Sequence, residues 1–117
     1  MNEFTISVAG IPRSKGRPRL GRRGRVFTPV ATHEAEQNIA SIWREANGPH
    51  LSGAIALEVD FHPKETVITV RETEEYPESR LRGDIDNYLK LVMDGLNGVA
   101  WDDDKQVVWL YAVKHNE

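Results

Sequence analysis

Cysteine is absent from the sequence. Its absence excludes disulfides, thiolate metal sites and cysteine nucleophiles, so any catalytic or metal-binding chemistry must use oxygen or imidazole groups. Long hydrophobic runs are also missing, since no stretch approaches the run of about 20 apolar residues that spans a bilayer. Residues 1–10 lack the basic start of a secretory signal. We therefore expect a cytoplasmic protein that has no membrane partner.

Charge is distributed unevenly along the chain, although the formal net charge is only -3. Residues 1–44 contain eight basic and three acidic residues, a net charge of +5, whereas the remaining residues contain seven basic and fifteen acidic residues, a net charge of -8. One half can therefore meet a polyanion and the other can hold cations.

The basic residues of the first half are concentrated in segment 12–27. Glycine and proline exclude a helix there, and the charge excludes a core position, so the segment is predicted to be an exposed basic loop with a short extended piece at 25–28. Its cations are the predicted DNA contacts: Arg13, Lys15, Arg17, Arg19, Arg22, Arg23 and Arg25.

Hydrophobic periodicity predicts two strands and a helix in the first part of the chain. Strict alternation over residues 3–9 and 54–62 predicts strands with one buried face. Helical spacing between them predicts a helix that begins with Thr28 as N-cap and Pro29 in its first turn and ends near residues 47–49.

The second part of the chain is predicted to add two strands and a second helix. A second, edge-like strand around residues 67–70 follows a turn at residues 63–64, and a loop without apolar periodicity follows it. The spacing of apolar residues predicts a helix from Ile85 to Leu96 that Asn97-Gly98 can end. After a turn at 102–104, residues 107–113 are predicted to form a strand with at least one fully buried face.

This order of elements predicts an α+β fold. We expect a single domain over residues 1–117, with a mixed sheet of about four to five strands and two helices packed on one face.

Six aspartates flank or lie in the second predicted helix: Asp84, Asp86, Asp94, Asp102, Asp103 and Asp104. Each alone has an ordinary explanation, since an aspartate at a helix start contributes about 0.5–2 kcal/mol as a cap and turn aspartates are commonly solvated. Together they repel one another, whereas a divalent cation needs several hard oxygen ligands. A helix of about 11 residues is about 16 Å long. The two groups therefore meet only if the following strand runs alongside the helix.

Lys90 lies four residues after Asp86 and four before Asp94, on one stripe of the predicted helix. One interpretation is a surface ion pair worth about 0.2–0.5 kcal/mol. The other is an ammonium that stabilises a phosphate oxygen beside a bound metal. A basic loop combined with a carboxylate cluster and a lysine is typical of metal-dependent phosphodiester hydrolysis.

The segment GDIDNYLKLVMDGLNGVAWDDDKQVV resembles the RusA family of Holliday junction resolvases. The family pattern is D-x-D-N, a lysine six residues after the first aspartate, a D-x-L pair in the same helix, and then D-D-x-Q-V. The matching residues lie in segment 82–107: Asp84, Asp86, Asn87, Lys90, Asp94, Leu96, Asp103, Asp104, Gln106 and Val107. The remaining elements follow in the order that the family has.

The resemblance implies a small α+β homodimer that cuts branched DNA, especially four-way junctions, by paired phosphodiester hydrolysis in recombination and repair. It implies Mg²⁺ as the cofactor, with Mn²⁺ able to substitute. Asp84, Asp86 and Asp104 would be the metal-binding catalytic carboxylates and Lys90 the charge-stabilising lysine. Asp102 extends the usual acidic pair to a triplet, so Asp103 remains an alternative ligand. Asp104 is preferred because it keeps the family's spacing to Gln106.

Two other functions compete with the nuclease. One is a catalytically silent accessory protein that binds branched DNA, and the other is a metal-stabilised structural domain whose basic loop binds a protein partner. Lys90, together with the full set of aspartates, favours the enzyme, because neither DNA binding nor stability alone requires this lysine.

Overall fold

Strands and helices form at most of the positions where the sequence predicts them. A computed structural model describes residues 3–14, 19–20, 26–27, 30–75 and 79–115. The chain forms two compact units, Met1–Glu72 and Thr73–Glu117. The first contains β1 (Glu3–Ala9), β2 (Arg19–Leu20), β3 (Val26–Phe27), α1 (Val30–Glu45), β4 (Ile55–His62) and β5 (Glu65–Glu72). The second contains α2 (Ile85–Leu96) and a short 3₁₀ helix (Asp104–Gln106). The α+β class is confirmed, whereas a single domain over the whole chain stays a prediction.

The main sheet of the first unit is antiparallel, with strand order β1-β5-β4. Register places Phe4 beside Val70 and Val70 beside Leu57, so the apolar residues of all three strands share one face. The prediction of β5 as an edge-like strand is wrong, because β1 pairs with it along its whole length and makes it the central strand. The tight turn predicted at residues 63–64 is confirmed.

Helix α1 packs against β1 on this apolar face. The rings of Trp43 and Phe4 meet edge to face at 4.9 Å, and Ile6 is only 5% exposed. The predicted buried face of β4 is wrong, since Leu57 and Phe61 are exposed. The physical reason is that α1 covers the β1 side of the sheet and leaves the β4 side open. The placement of α2 on the same face stays a prediction.

The basic segment contains a two-stranded antiparallel ladder that the sequence indicated only in part. Val26–Phe27 is the predicted extended piece, and it pairs with Arg19–Leu20, which periodicity did not identify. The predicted N-cap Thr28 and the first-turn Pro29 lie outside the described residues. The predicted end of α1 is confirmed, since the helix stops at Glu45 and Asn47 takes a left-handed φ of 58°.

The end of the chain differs from the prediction. Residues 107–115 form no strand with any other described segment, and Val108 and Trp109 are 93% and 78% exposed. An apolar alternation makes a strand only where a neighbouring backbone pairs with it, and no other described segment pairs with this one. The predicted turn at 102–104 is displaced to residues 97–101, directly after α2. A mixed sheet of four to five strands is therefore not confirmed.

The loop predicted between the last strand of the sheet and α2 contains no helix or strand in its described parts, 73–75 and 79–83. Across the described residues, no helix is long and apolar enough to cross a membrane.

Candidate functional site

Asp84 occupies the N-cap position of α2 without acting as a side-chain cap. Its backbone is extended and its carbonyl accepts hydrogen bonds from the backbone N–H groups of Asn87 and Tyr88 at 3.0 and 3.2 Å. Its carboxylate makes no capping hydrogen bond. Asp84 and Asp86 are both exposed. Side-chain capping therefore does not account for Asp84, and the carboxylates of Asp84 and Asp86 are both accessible to a ligand.

The backbone just before α2 is held in place by hydrogen bonds to the side chains of Tyr88 and Lys114. The hydroxyl of Tyr88 accepts a hydrogen bond from the Gly83 N–H at 3.0 Å, and the tyrosine ring lies so close that a Cβ at Gly83 would be 2.8 Å from its Cζ atom. The ammonium of Lys114 donates to the carbonyl oxygens of Gly83 and Leu81 at 3.0 and 3.5 Å. These contacts fix the chain entering Asp84.

The C-terminal segment therefore returns to the start of α2, as convergence of the aspartates required. The Ser79 hydroxyl adds a second link by donating to the His115 carbonyl at 3.3 Å. However, the segment brings Lys114 and His115 to the helix start, and not the Asp102–Asp104 group.

Lys90 lies exposed on α2 between Asp86 and Asp94. Within the part of the chain that the structure describes, the side chains of these three residues form no hydrogen bond or ion pair. The interpretation of Lys90 as a surface ion pair therefore has no contact to support it. Its ammonium and the flanking carboxylates are available to a ligand.

The chain turns sharply after α2 and places Asp104 beside Trp101. The Gly98 N–H donates to the Trp101 carbonyl at 2.7 Å, and Asn97 and Trp101 form an isolated bridge. The indole Nε1–H of Trp101 donates to Oδ1 of Asp104 at 2.8 Å. Asp104 is half-buried, whereas its two acidic neighbours are exposed.

Asp103 has a local structural role. Its side chain accepts a hydrogen bond from the Lys105 N–H at 2.9 Å, and the Gln106 side chain accepts from the N–H groups of Asp102 and Asp103 at 2.8 and 3.0 Å. This is a capping box at the start of the 3₁₀ helix. The spacing of Asp103 and Gln106 contained this signal, which the sequence analysis missed.

The two acidic groups lie at opposite ends of α2, a 12-residue helix that spans about 18 Å. No three acidic or histidine side chains among the described residues form a group that could hold a metal ion. Convergence of Asp84, Asp86 and Asp104 therefore stays a prediction. The donor chemistry nevertheless fits Mg²⁺, which is commonly bound by one or two carboxylates together with water and substrate phosphates.

Of the predicted DNA-binding residues, Arg13 is exposed and Arg19 begins β2. The others lie outside the described residues: Lys15, Arg17, Arg22, Arg23 and Arg25.

Comparison with known proteins identifies the family. The family described as Endodeoxyribonuclease RusA matches residues 9–117, nearly the whole chain and all of the acidic motif. The chain belongs to the RusA family. This confirms the resemblance seen in the motif and places the chain in a family of endodeoxyribonucleases.

The chain is also similar to a Bacillus subtilis (strain 168) protein named "Uncharacterized protein YqaN". The two are 30% identical over 125 aligned positions that cover 97% of this chain and 88% of the relative. No solved structure matches the chain significantly.

Proposed function

We propose that the protein is a Mg²⁺-dependent endodeoxyribonuclease that resolves four-way DNA junctions in recombination and repair. The observation that carries the proposal is a set of charged residues at the start of α2 and along it. Asp84, Asp86, Lys90 and Asp94 are exposed there and make no side-chain hydrogen bond or ion pair with the described residues. Membership of a family of endodeoxyribonucleases supports nuclease chemistry for this set.

Asp84, Asp86 and Asp104 are the proposed ligands of Mg²⁺, for which Mn²⁺ can substitute. When bound, a divalent cation supplies an activated water and neutralises charge at the scissile phosphate. Asp104 is proposed as the third ligand because it keeps the family's spacing to Gln106, and Asp103 already serves in the capping box of the 3₁₀ helix.

Lys90 is proposed to donate to a non-bridging or leaving oxygen of the scissile phosphate. The ammonium carries three donors on a flexible stem. Because it has no ion-pair partner among the described residues, no internal contact must break before it reaches DNA.

The functional molecule is proposed to be a homodimer. The largely exposed apolar segment 107–113, which forms no strand with the other described segments, supports this, as do Leu91 and Val92 of α2, which are 76% and 54% exposed. An antiparallel pair of α2 helices across a two-fold axis would place the acidic start of one helix beside the Asp104 end of the other. Two sites related by this axis match the symmetry of a four-way junction and allow paired nicks.

The basic segment 12–27 is proposed to hold backbone phosphates of the junction arms. Its arginines and lysine supply charge without reading sequence, so selectivity for junctions would come from the shape of the DNA.

The deciding experiment is cleavage of a synthetic four-way junction by the purified protein in Mg²⁺, with a linear duplex of the same sequence as control. Paired nicks in the junction and little cleavage of the duplex are expected. A protein that binds the junction but leaves it uncut in both Mg²⁺ and Mn²⁺ would be an accessory DNA-binding protein. Failure to bind junctions, with metal binding retained, would favour a metal-stabilised interaction domain.

A further inference from the structure

We propose that Trp101 is a positioning residue for the Asp104 carboxylate. Its indole N–H holds Oδ1 at 2.8 Å and so presents the other carboxylate oxygen to a divalent cation. The inference rests on the proposed function, because it takes Asp104 as a metal ligand. Both side chains are half-buried, so water competes less for this hydrogen bond than it does at an exposed position.

The indole is itself anchored to α2. The Asn97 N–H donates to the Met93 carbonyl at 2.9 Å and closes the last turn of the helix. The Gly98 N–H then donates to the Trp101 carbonyl at 2.7 Å. Backbone hydrogen bonds therefore connect the donor to the helix that carries the other proposed ligands. The orientation of the Asp104 carboxylate is thus tied to the end of this helix.

The chemistry of the indole suits this role. Its N–H donates a hydrogen bond but accepts none and carries no charge. A lysine or arginine at position 101 would also hold Asp104, but it would neutralise the charge that attracts a cation. Trp101 fixes the carboxylate and leaves its negative charge available. Outer-shell hydrogen-bond partners of this kind affect metal affinity or activity by about 10–100-fold.

A purely structural role for the Trp101–Asp104 bond makes a different prediction. If the bond only closes the turn after α2, its loss lowers the unfolding temperature and leaves metal affinity unchanged. The neighbouring capping box, made by Asp103 and Gln106, stabilises the start of the adjacent 3₁₀ helix and does not need the indole. Metal affinity, measured separately from unfolding temperature, therefore distinguishes the two roles.

The test is Trp101→Phe, which keeps an aromatic ring and removes the N–H donor. Mn²⁺ binding to the DNA-free protein is measured by titration calorimetry, well below the unfolding temperature of each variant. We expect Mn²⁺ affinity to fall by about 10–100-fold. Trp43→Phe is the matched control, because it also removes an indole N–H that donates a hydrogen bond, here to the Pro49 carbonyl at 3.1 Å, in the unit that contains no proposed ligand, and it should bind Mn²⁺ as the wild type does.

A double variant tests whether Trp101 acts through Asp104. In an Asp104→Asn background, Trp101→Phe should cause no further loss of Mn²⁺ affinity, because the residue that it positions no longer acts as a ligand. Wild-type affinity in Trp101→Phe, an equal loss in Trp43→Phe, or an additive loss in the double variant would each overturn the proposal.

Junction cleavage is measured in parallel, so that the two proposals fail separately. Metal affinities as predicted, in a wild-type protein that cuts no junction, would uphold the positioning role and overturn the nuclease. Cleavage by the wild type with unchanged Mn²⁺ affinity in Trp101→Phe would do the opposite. A wild-type protein without saturable Mn²⁺ binding would overturn both.

Discussion

Side chains of similar chemistry have different surroundings in the acidic motif. Asp103 caps a 3₁₀ helix through the Lys105 N–H, and Asp104 accepts from an indole. Asp84 and Asp86, in contrast, make no side-chain hydrogen bond within the described chain. A carboxylate that stabilises its own backbone is less available to a cation than one that does not. Asp103 and Asp104 each have one carboxylate oxygen engaged, whereas the oxygens of Asp84 and Asp86 are available, a distinction that composition alone does not make.

Lys90 is the residue for which the catalytic and structural roles differ most. If Lys90 donates to the charge that develops on the phosphate, Lys90→Ala should lower the single-turnover cleavage rate by about 10²–10³. Unfolding temperature should not fall, because Lys90 has no ion pair with a described residue and alanine favours helix. Lys90→Arg should recover little activity, since a planar guanidinium places its protons differently.

The control for Lys90 is Lys105→Ala, which removes an exposed lysine from the same unit and should cut normally. Junction binding measured in Ca²⁺ separates affinity from chemistry. Near-normal cleavage by Lys90→Ala would reduce this lysine to a surface charge. Full activity of Lys90→Arg would leave charge, and not geometry, as the requirement.

At the level of elements, the local spacing of apolar residues predicted where most of the helices and strands lie. Apolar alternation located β1 and β4, and helical spacing located α1 and α2, because the period of apolar residues follows the geometry of each element. The period did not show whether that face is buried, since Leu57 and Phe61 of β4 are exposed. Pairing was not predictable in the same way. Periodicity could not show that β5 is central or that residues 107–113 lack a partner strand among the described residues, since both depend on chain segments distant in sequence.

The candidate site was likewise predictable where it depends on local sequence and not where it depends on distant segments. The motif identified the residue types and the helix that carries them, whereas the distance between the acidic groups depends on the turn after α2. That turn lies at residues 97–101 and holds Asp104 at the far end of the helix. The return of the chain to the helix start was anticipated, but the residue that contacts it there is Lys114.

The entry into α2 provides a test at the level of the element. Gly83→Ala places a methyl group 2.8 Å from Tyr88 Cζ and must displace the ring or the backbone. Overpacking of this kind costs about 1–3 kcal/mol, and cleavage should fall because Asp84 moves with the backbone. Gly95→Ala is the control, since a Cβ there meets nothing within 4 Å. It should stabilise the helix by about 0.5–1 kcal/mol. Chemical denaturation measures both, and equal effects would contradict the proposed contact.

For the whole molecule, the separation of charge between residues 1–44 and the acidic remainder predicts a salt-dependent interaction with DNA. Replacing Arg17 and Arg19 with alanine should weaken junction binding and flatten the plot of log affinity against log salt by about 0.9 for each phosphate that the protein no longer neutralises. Lys64→Ala, an exposed lysine in the turn between β4 and β5, should leave the slope unchanged. An unchanged slope in the arginine variant would remove segment 12–27 from the DNA interface.

The arrangement of the proposed dimer can be tested by complementation. Asp86→Asn and Asp104→Asn should each abolish cleavage and leave the protein folded. If each site takes Asp86 from one subunit and Asp104 from its partner, a heterodimer of the two variants contains one site with both aspartates intact. If each site belongs to one chain, no heterodimer site is intact.

Co-refolded equimolar variants should therefore recover nicking at about a quarter of the wild-type number of sites, because random pairing makes half of the dimers heterodimers and each has one working site. These heterodimers should nick a four-way junction once and not produce paired cuts. Recovery must require subunit exchange, so the two variants mixed without refolding serve as the control if exchange is slow. No recovery after refolding, with heterodimers verified by differential tagging, would show that the carboxylates of one site come from a single chain.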